Sequence, residues 1–337
     1  MLDLYKDCRL CPRECGVDRT AAVSGSADTP PGFCGESSRL RLAFAGLHKG
    51  EEPPLAGRGG SGTIFVSGCN LGCTFCQNYQ ITGSRQRRRA ALGRAVSEDE
   101  FTGICLELQN SGAENINIVT GSHAVPAIVQ GITAARSKGL TIPLLWNSSG
   151  YEGQAALDIL KDCVDVFLPD LKTLDSDIAA RFFNAPDYPQ AAAAAILKMI
   201  HCRPNRVIIR HLILPGCLDS SRAVLRWFAE NARGKALLSL MTQYTPVQKT
   251  GGTESPAAAP GRFLNQREYE TVLGWLTEFG IEDGFCQELV TGSDWLPDFN
   301  RPNPFSSELS VPVWSWNQPP PFVFLASGPP SPGCPVN

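Results

Sequence analysis

The sequence predicts an α/β protein: a partial, open (β/α)6 barrel with a small cysteine-rich module at its N-terminus. Three observations predict it. Between residues 62 and 280, short apolar runs alternate with helical patterns about six times, which is the signature of a parallel sheet with helices laid against it. Several of the runs are apolar almost throughout, as strands are when both faces are covered. Six units are too few to close a TIM barrel, so the sheet is expected to stay open. The third observation is the contrast with residues 1–40, where Cys, Gly and Pro abound and there is little periodicity.

The elements follow in order. A Pro/Gly loop, "GEEPPLAGRGGSG" (50–62), leads to a first strand in "TIFVSG" (63–68). "SEDEFTGICLELQNSG" is a helix with Ser97 as its N-cap and acids in its first turn. "NINIVT" (115–120) is a strand, and "AVPAIVQGITAARSKG" is a helix closed by Gly139. Strands at 143–149 and 164–172 flank the helix "YEGQAALDILKD". Two helices, "DSDIAARFFN" and "YPQAAAAAILKMI", precede the strand 205–214. The helix "DSSRAVLRWFAENAR", capped by Ser220 or Asp219, leads to the strand 235–244, and a last helix spans 265–280. The domain reading is a module at 1–50, a barrel at 51–305 and a Pro-rich, disordered tail at 306–337.

Bulk composition narrows the function. The chain has 337 residues, 43% hydrophobic and 19% charged, with a formal net charge of −3. Such a balance sets up no global field toward nucleic acid or a membrane surface. No apolar run has the length of a transmembrane helix, and "MLDLYKDCRLC" has no apolar leader core. A cytoplasmic protein with no nucleic-acid or membrane partner is expected. In that compartment, clustered cysteines point to metal binding or catalysis and not to disulfides. The basic run "SRQRRRAALGR" reads as a solvated segment or as a docking patch for an acidic partner.

The chemistry concentrates in "SGCNLGCTFCQNYQ", residues 67–80. Cys69, Cys73 and Cys76 form a C-x3-C-x2-C array. Three close thiolates bind a soft metal, yet a structural zinc site wants a fourth protein ligand. A [4Fe–4S] cluster accommodates three, leaving one iron open to a small molecule. The loop follows the first strand of the barrel, on the side where β/α barrels place their active sites.

This array, with Phe75 before its last cysteine, resembles the radical S-adenosylmethionine superfamily. "LWNSSGYE", "VDVFLPDLKTLD", "NAPDYP", "RHLILPG" and "MTQY" extend the resemblance to the branch of pyruvate formate-lyase activating enzyme-like proteins with an N-terminal "C..CPR.CG" module. The likeness runs from about Cys8 to Phe305. It implies a [4Fe–4S] cluster and S-adenosylmethionine as cofactors, a flavodoxin or ferredoxin as electron donor, and a glycyl-radical enzyme as partner. By motif, Phe75 packs beside the adenine. Asn147 meets the methionine end, Asp170 and Lys172 match a strand end whose lysine reaches the cofactor carboxylate, and Gln243 stands where the activases have a histidine. "TGSH" (120–123) replaces their "GGEP", so Gly121 and Ser122 would admit the methionine ammonium, with His123 as an added polar group or a helix cap. No catalytic residue beyond cluster and cofactor is implied. One of Arg210 and His211 should line the barrel interior, because neighbouring strand residues face opposite sides.

Cys8, Cys11, Cys15 and Cys34 supply four more thiols in a segment with no core. They read as structural zinc or as an auxiliary cluster. The scattered Cys105, Cys163, Cys202, Cys217, Cys286 and Cys334 read as small buried hydrophobes. Three functions compete: an activase for a glycyl-radical enzyme, a radical enzyme acting on a small molecule or peptide, and a zinc-ribbon binding module on a catalytically silent barrel.

Overall fold

The structure, a computed structural model, describes residues 1–20, 32–83, 91–247, 259–293 and 295–318. Most of the basic run (84–90), the end of the tail and Cys334 lie outside them.

Strand β1 (Arg41–His48) and the single turn α1 (Pro53–Ala56) open the barrel. Then come β2 (Ser61–Val66), the turn α2 (Tyr79–Thr82), the short β3 (Arg94–Ala95), α3 (Glu98–Asn110), β4 (Ile116–Val119), α4 (Val125–Ser137), β5 (Leu144–Ser148), α5 (Gln154–Leu160) and β6 (Val166–Pro169). The second half is α6 (Ser176–Phe183), α7 (Tyr188–Cys202), β7 (Ile208–Leu212), α8 (Leu218–Asn231), β8 (Leu237–Met241), α9 (Gln266–Glu278), β9 (Gly284–Cys286) and β10 (Ser310–Ser315). The strand order is β10-β1-β2-β4-β5-β6, then β7-β8-β9, with parallel bridges Phe167–Val207 and Asp170–Arg210 joining the two sets. The predicted parallel strands are thus β2, β4, β5, β6, β7 and β8, with β9 as a short extra parallel edge.

Three expectations are corrected. Residues 41–48 belong to the sheet and not to the cysteine module: β1 pairs antiparallel with both β2 and β10, and its central residues are buried. The tail reading fails for residues 310–315, which form β10 with Trp314 buried against the sheet. Pro312 is tolerated there because β10 is an edge strand. Neither Asp219 nor Ser220 caps α8; its N-cap position is Cys217, without a side-chain hydrogen bond. Elsewhere local signals hold. Ser97 accepts from Glu100 N–H at the start of α3, and Asn265 and Glu268 form a reciprocal capping box on α9.

Side chains alternate across the sheet, and the register sorts them cleanly. Ile64, Ile118, Trp146 and Phe167 align on the outer face and are buried beneath the helices with Ile209 and Leu240. On the inner face, Phe65, Val119, Asn147 and Leu168 align, and Asp170, Arg210, Ser239 and Phe285 continue the row. Phe299 and Phe305, from the segment before β10, pack on Phe65 and Val119. Below, Arg210 is held by Glu51 and Glu52, and Asn117 donates to Glu51 at 3.0 Å. Arg210 therefore lines the interior, while His211 faces outward, donating to Leu171 O at 2.7 Å and meeting Ser221 Oγ at 2.9 Å.

Candidate active site

The strand ends of the parallel sheet gather the predicted residues on one rim. Cys69 follows β2, Gly121 and Ser122 follow β4, Asn147 lies one residue before the end of β5, Asp170 and Lys172 follow β6, and Gln243 follows β8. The chain leaves β2 through Gly68 at φ +89, where an added Cβ would lie 2.3 Å from Glu36 Cγ. Only glycine fits that turn.

The cysteine loop is stitched down along its length. Cys69 Sγ accepts the Leu71 N–H at 3.3 Å. Gly72 and Thr74 donate to the carbonyls of Phe183 and Phe182, at the end of α6. Gln77 donates to Gln243 O at 3.3 Å, and Gln80 bridges to Asp298 and the Phe299 amide. Phe75 is buried among Phe182, Phe183 and Tyr244 in edge-on contacts. That ring anchors the loop rigidly.

Electrostatics tie the three thiols to Lys172. Burial pushes the Cys69 thiol up most strongly, Cys73 and Cys76 add to it, and the Leu71 amide and Lys172 oppose it. Burial alone would push the Lys172 ammonium down. Asp170, Cys73 and Tyr188 outweigh it and hold the ammonium above its ordinary range, so Lys172 stays charged. Its Nζ donates to Asp170 Oδ2 at 2.5 Å. The Tyr188 hydroxyl accepts the Lys172 N–H at 3.0 Å and lies 2.8 Å from the carbonyls of Ser149 and Asp170, fixing the strand end.

The remaining predicted residues divide. The Asn147 side chain faces inward, half-buried, and makes no hydrogen bond among the described residues. Gln243 Oε1 accepts from Gln287 at 3.3 Å. Gly121 is required by packing, since a Cβ there would lie 2.6 Å from Trp146. The Ser122 hydroxyl is committed to Glu152 at 2.6 Å and is buried, so only its backbone is left for a ligand. His123 does not cap α4; its Nε2–H donates to Ser67 O at 2.8 Å. With burial pushing that imidazole down to about 3, it is neutral, and Nδ1 has no partner among the described residues.

Two features were not visible in the sequence. Thr120 adopts φ +64 at the end of β4, an expensive conformation for a β-branched residue that is held by its amide bond to Asn147 O. Glu152 is fully enclosed. Its Oε1 accepts from Ser122 and from Trp146 Nε1, Oε2 has no described partner, and burial pushes the carboxyl up. A lone acid in "GYEG" carries no sequence signal for that role.

In the N-terminal module, Cys8, Cys11 and Cys34 are buried and Cys15 is partly exposed. The module docks beside the cysteine loop. Arg13 donates to the carbonyls of Asn70 and Asn184, Gly153 donates to Leu10 O, and the Ala127 amide donates to the Tyr5 hydroxyl. Every described cysteine is a free thiol. Of the scattered ones, Cys105 and Cys163 are buried as expected, whereas Cys286 is exposed.

The donor set fits a [4Fe–4S] cluster with S-adenosylmethionine. Three soft thiols share one loop, and beside them stand a charged lysine, an aspartate and an unpartnered amide. Among the described residues no three metal-ligating side chains converge as they would on a single ion. A cluster does not require that convergence, because its thiolates bind different irons.

Residues 63–228 match the family model described as the Radical SAM superfamily. The family implies S-adenosylmethionine, a [4Fe–4S] cluster and catalysis. Among curated proteins, an uncharacterized protein of Methanocaldococcus jannaschii is 28% identical over 285 residues, covering 83% of this chain and 77% of that protein. Among solved structures, SuiB of Streptococcus suis bound to precursor peptide SuiA is similar at 14% identity and a TM-score of 0.45. That match covers 65% of this chain and 46% of SuiB, so the chain spans less than half of SuiB. Native anSMEcpe with bound AdoMet is similar at 14% identity and a TM-score of 0.46, over 65% of this chain and 61% of that one. Among the described residues no helix is long and apolar enough to cross a membrane.

Proposed function

We propose that this chain is an activase: it generates a radical from S-adenosylmethionine to abstract hydrogen from a glycine Cα of a partner glycyl-radical enzyme. The supporting observation is the rim assembly, in which Cys69, Cys73 and Cys76 share one neighbourhood with the charged pair of Lys172 and Asp170. When bound, the cluster supplies the electron that splits the sulfonium into methionine and a 5′-deoxyadenosyl radical.

The chain's own residues do the rest. Cys69, Cys73 and Cys76 hold the cluster through thiolates, and the bonds of Gly72 and Thr74 to the end of α6 keep their loop fixed. Lys172, kept charged by Asp170, receives the cofactor carboxylate. Asn147 offers its free amide to the methionine end. Phe75 and Tyr244 form an apolar wall for the adenine, and Gln77 ties that wall to the end of β8. Phe299 and Phe305 seal the lumen on the β1 side, and the Arg210 network seals it below, so substrate access falls to the rim. A flavodoxin or ferredoxin is the expected electron donor. The glycyl-radical assignment rests on the motif likeness to activating enzymes.

The test is anaerobic reconstitution with S-adenosylmethionine, reductant and candidate partners. Wild-type protein should form 5′-deoxyadenosine, with a glycyl doublet by electron paramagnetic resonance when the right partner is present. Replacing Cys69, Cys73 and Cys76 by Ala should abolish both. 5′-Deoxyadenosine with no partner radical, but with a modified peptide or small molecule, would replace the activase reading. Undiminished product from the triple variant would refute radical chemistry at this loop and leave a silent barrel.

A further inference from the structure

We propose that Cys8, Cys11, Cys15 and Cys34 hold a second iron–sulfur cluster, whose thiolates bind different irons and so need not converge on one ion, and that the buried guanidinium of Arg19 offsets its negative charge. The first observation is how the thiols are gathered. Cys8 N–H donates to Val17 O and Gly16 N–H donates to Cys8 O, both at 3.1 Å, so Cys8 is strapped against Gly16 and Val17. Cys15 Sγ accepts the Phe33 amide at 3.4 Å, next to the turn closed by Gly35 N–H on Gly32 O that carries Cys34, and the Cys11, Cys34 and Cys8 thiols lie within electrostatic reach of one another. The module's own core is Tyr5, Cys8 and Leu10 with Val17 against them. That is far too little apolar burial to order such a segment. Metal ligation supplies folding energy where a core does not.

The second observation is independent and concerns charge. Arg19 is 2% exposed. It donates to the carbonyls of Glu36 (2.9 Å), Ser37 (2.8 Å) and His123 (2.6 Å), and to Cys8 Sγ at 3.6 Å, and it stacks over Tyr5. None of these partners is a carboxylate; the nearby Glu36 carboxylate is taken by Arg41 at 3.0 Å. A buried cation without an anion is costly. The groups around it that become anionic are thiols, and metal-bound cysteines are thiolates. Four thiolates leave a net negative charge on an iron–sulfur cluster, and a delocalised guanidinium donating to one sulfur is a suitable counter-charge.

The site sits close to the first centre by bonds. Arg19 donates to His123 O, and the His123 ring donates to Ser67 O. Arg13 donates to Asn70 O at 3.1 Å. Ser67 and Asn70 bracket Cys69, so the two cysteine groups are linked by two short routes. The module is thereby built into the cysteine loop and is not a tethered appendage.

The test uses the full chain with Cys69, Cys73 and Cys76 replaced by Ala, so its outcome does not depend on the activase reading. Metal-free protein is loaded separately with zinc, or with ferrous iron plus sulfide under anaerobic conditions, and metal, sulfide and visible absorption are measured. Retained iron and sulfide with a charge-transfer band supports the cluster; retained zinc with no visible band after either loading would overturn it. Adding Cys8→Ser and Cys11→Ser should remove the cluster. Because those changes risk unfolding the module, Arg19→Gln provides a second readout. It should release metal to a competing chelator roughly 10–100-fold more readily, with partial rescue by Arg19→Lys. Binding of neither metal while residues 1–20 stay protected from protease, retention in the Cys8/Cys11 variant, or identical release from wild type and Arg19→Gln would overturn the proposal.

Discussion

The lumen of the barrel holds two charged groups that differ in one respect. Toward its floor, Arg210 is gripped by Glu51 and Glu52, Glu51 also takes a hydrogen bond from Asn117, and Arg210 is 7% exposed. Each member has found its partners within the protein. At the rim, among the described residues, Lys172 has only Asp170 as an ionic partner, Asn147 has no side-chain partner, and the Gln243 side chain is held by one long bond. A saturated buried network specifies the fold, because any group it loses leaves another charge stranded. An unsaturated one, on the side where strand ends converge, has capacity left over for a ligand.

The contrast breaks most visibly at Arg210. Arg210→Met should destabilise the protein by about 3–5 kcal/mol, since it strands two carboxylates in a dry interior. Adding Glu51→Gln and Glu52→Gln should recover a substantial part of that loss. Urea denaturation of the three proteins checks it. A single variant as stable as wild type would show that the floor is wetter than the structure makes it.

Lys172→Ala should do the reverse. The pair with Asp170 is about one-fifth exposed, so its loss costs little stability. Cofactor affinity should fall about ten-fold or more, matching the roughly 1.5–3 kcal/mol of a charged hydrogen bond. Equilibrium titration with S-adenosylmethionine decides it; unchanged affinity would move the carboxylate site elsewhere.

A smaller effect lies in acid. His211 is bonded on both ring nitrogens and buried, and burial pushes it down to about 4. Its folded value lies below its unfolded one, so the unfolded chain takes the proton first. Stability should therefore fall as pH drops from about 6.5 toward 4. His211→Asn keeps the donor to Leu171 and loses the titration, so its unfolding midpoint should change less across that window. Parallel slopes in wild type and variant would assign the acid sensitivity to other groups.

The difference between floor and rim also marks what the sequence could reveal. The rim was legible because its residues follow strands whose apolar runs announce themselves, and because Cys69, Cys73 and Cys76 lie within one short loop. The floor was not. One of Arg210 and His211 was expected inside, but the partners that hold Arg210 there, Glu51 and Glu52, are 158 or more residues away in a Pro-rich loop that reads only as a loop. The same non-locality hid β1 and β10. "RLAFAGLH" is a plain apolar run, yet its place next to a cysteine-rich segment drew it into the wrong unit. "SVPVWS" sits in Pro-rich sequence, and only its pairing with β1 makes it a strand. The setting of Ser122 was hidden for a related reason: its hydroxyl is bonded to Glu152, thirty residues on.

The finest test of the comparison is Asn147→Ala. The inner-face register places this amide between Val119 and Leu168, at the level where lumen gives way to rim. Its backbone carbonyl is used by Thr120, and that bond survives the substitution. The side chain gives up no described hydrogen bond, so stability should stay within about 0.5 kcal/mol of wild type. The amide is then available only to a ligand, and S-adenosylmethionine affinity should drop by the worth of one neutral hydrogen bond, about 0.5–1.5 kcal/mol. Thermal unfolding and cofactor titration on the same sample separate the two quantities. A clear loss of stability with affinity intact would place Asn147 in the saturated class with Arg210, and the boundary between floor and rim would move up past β5.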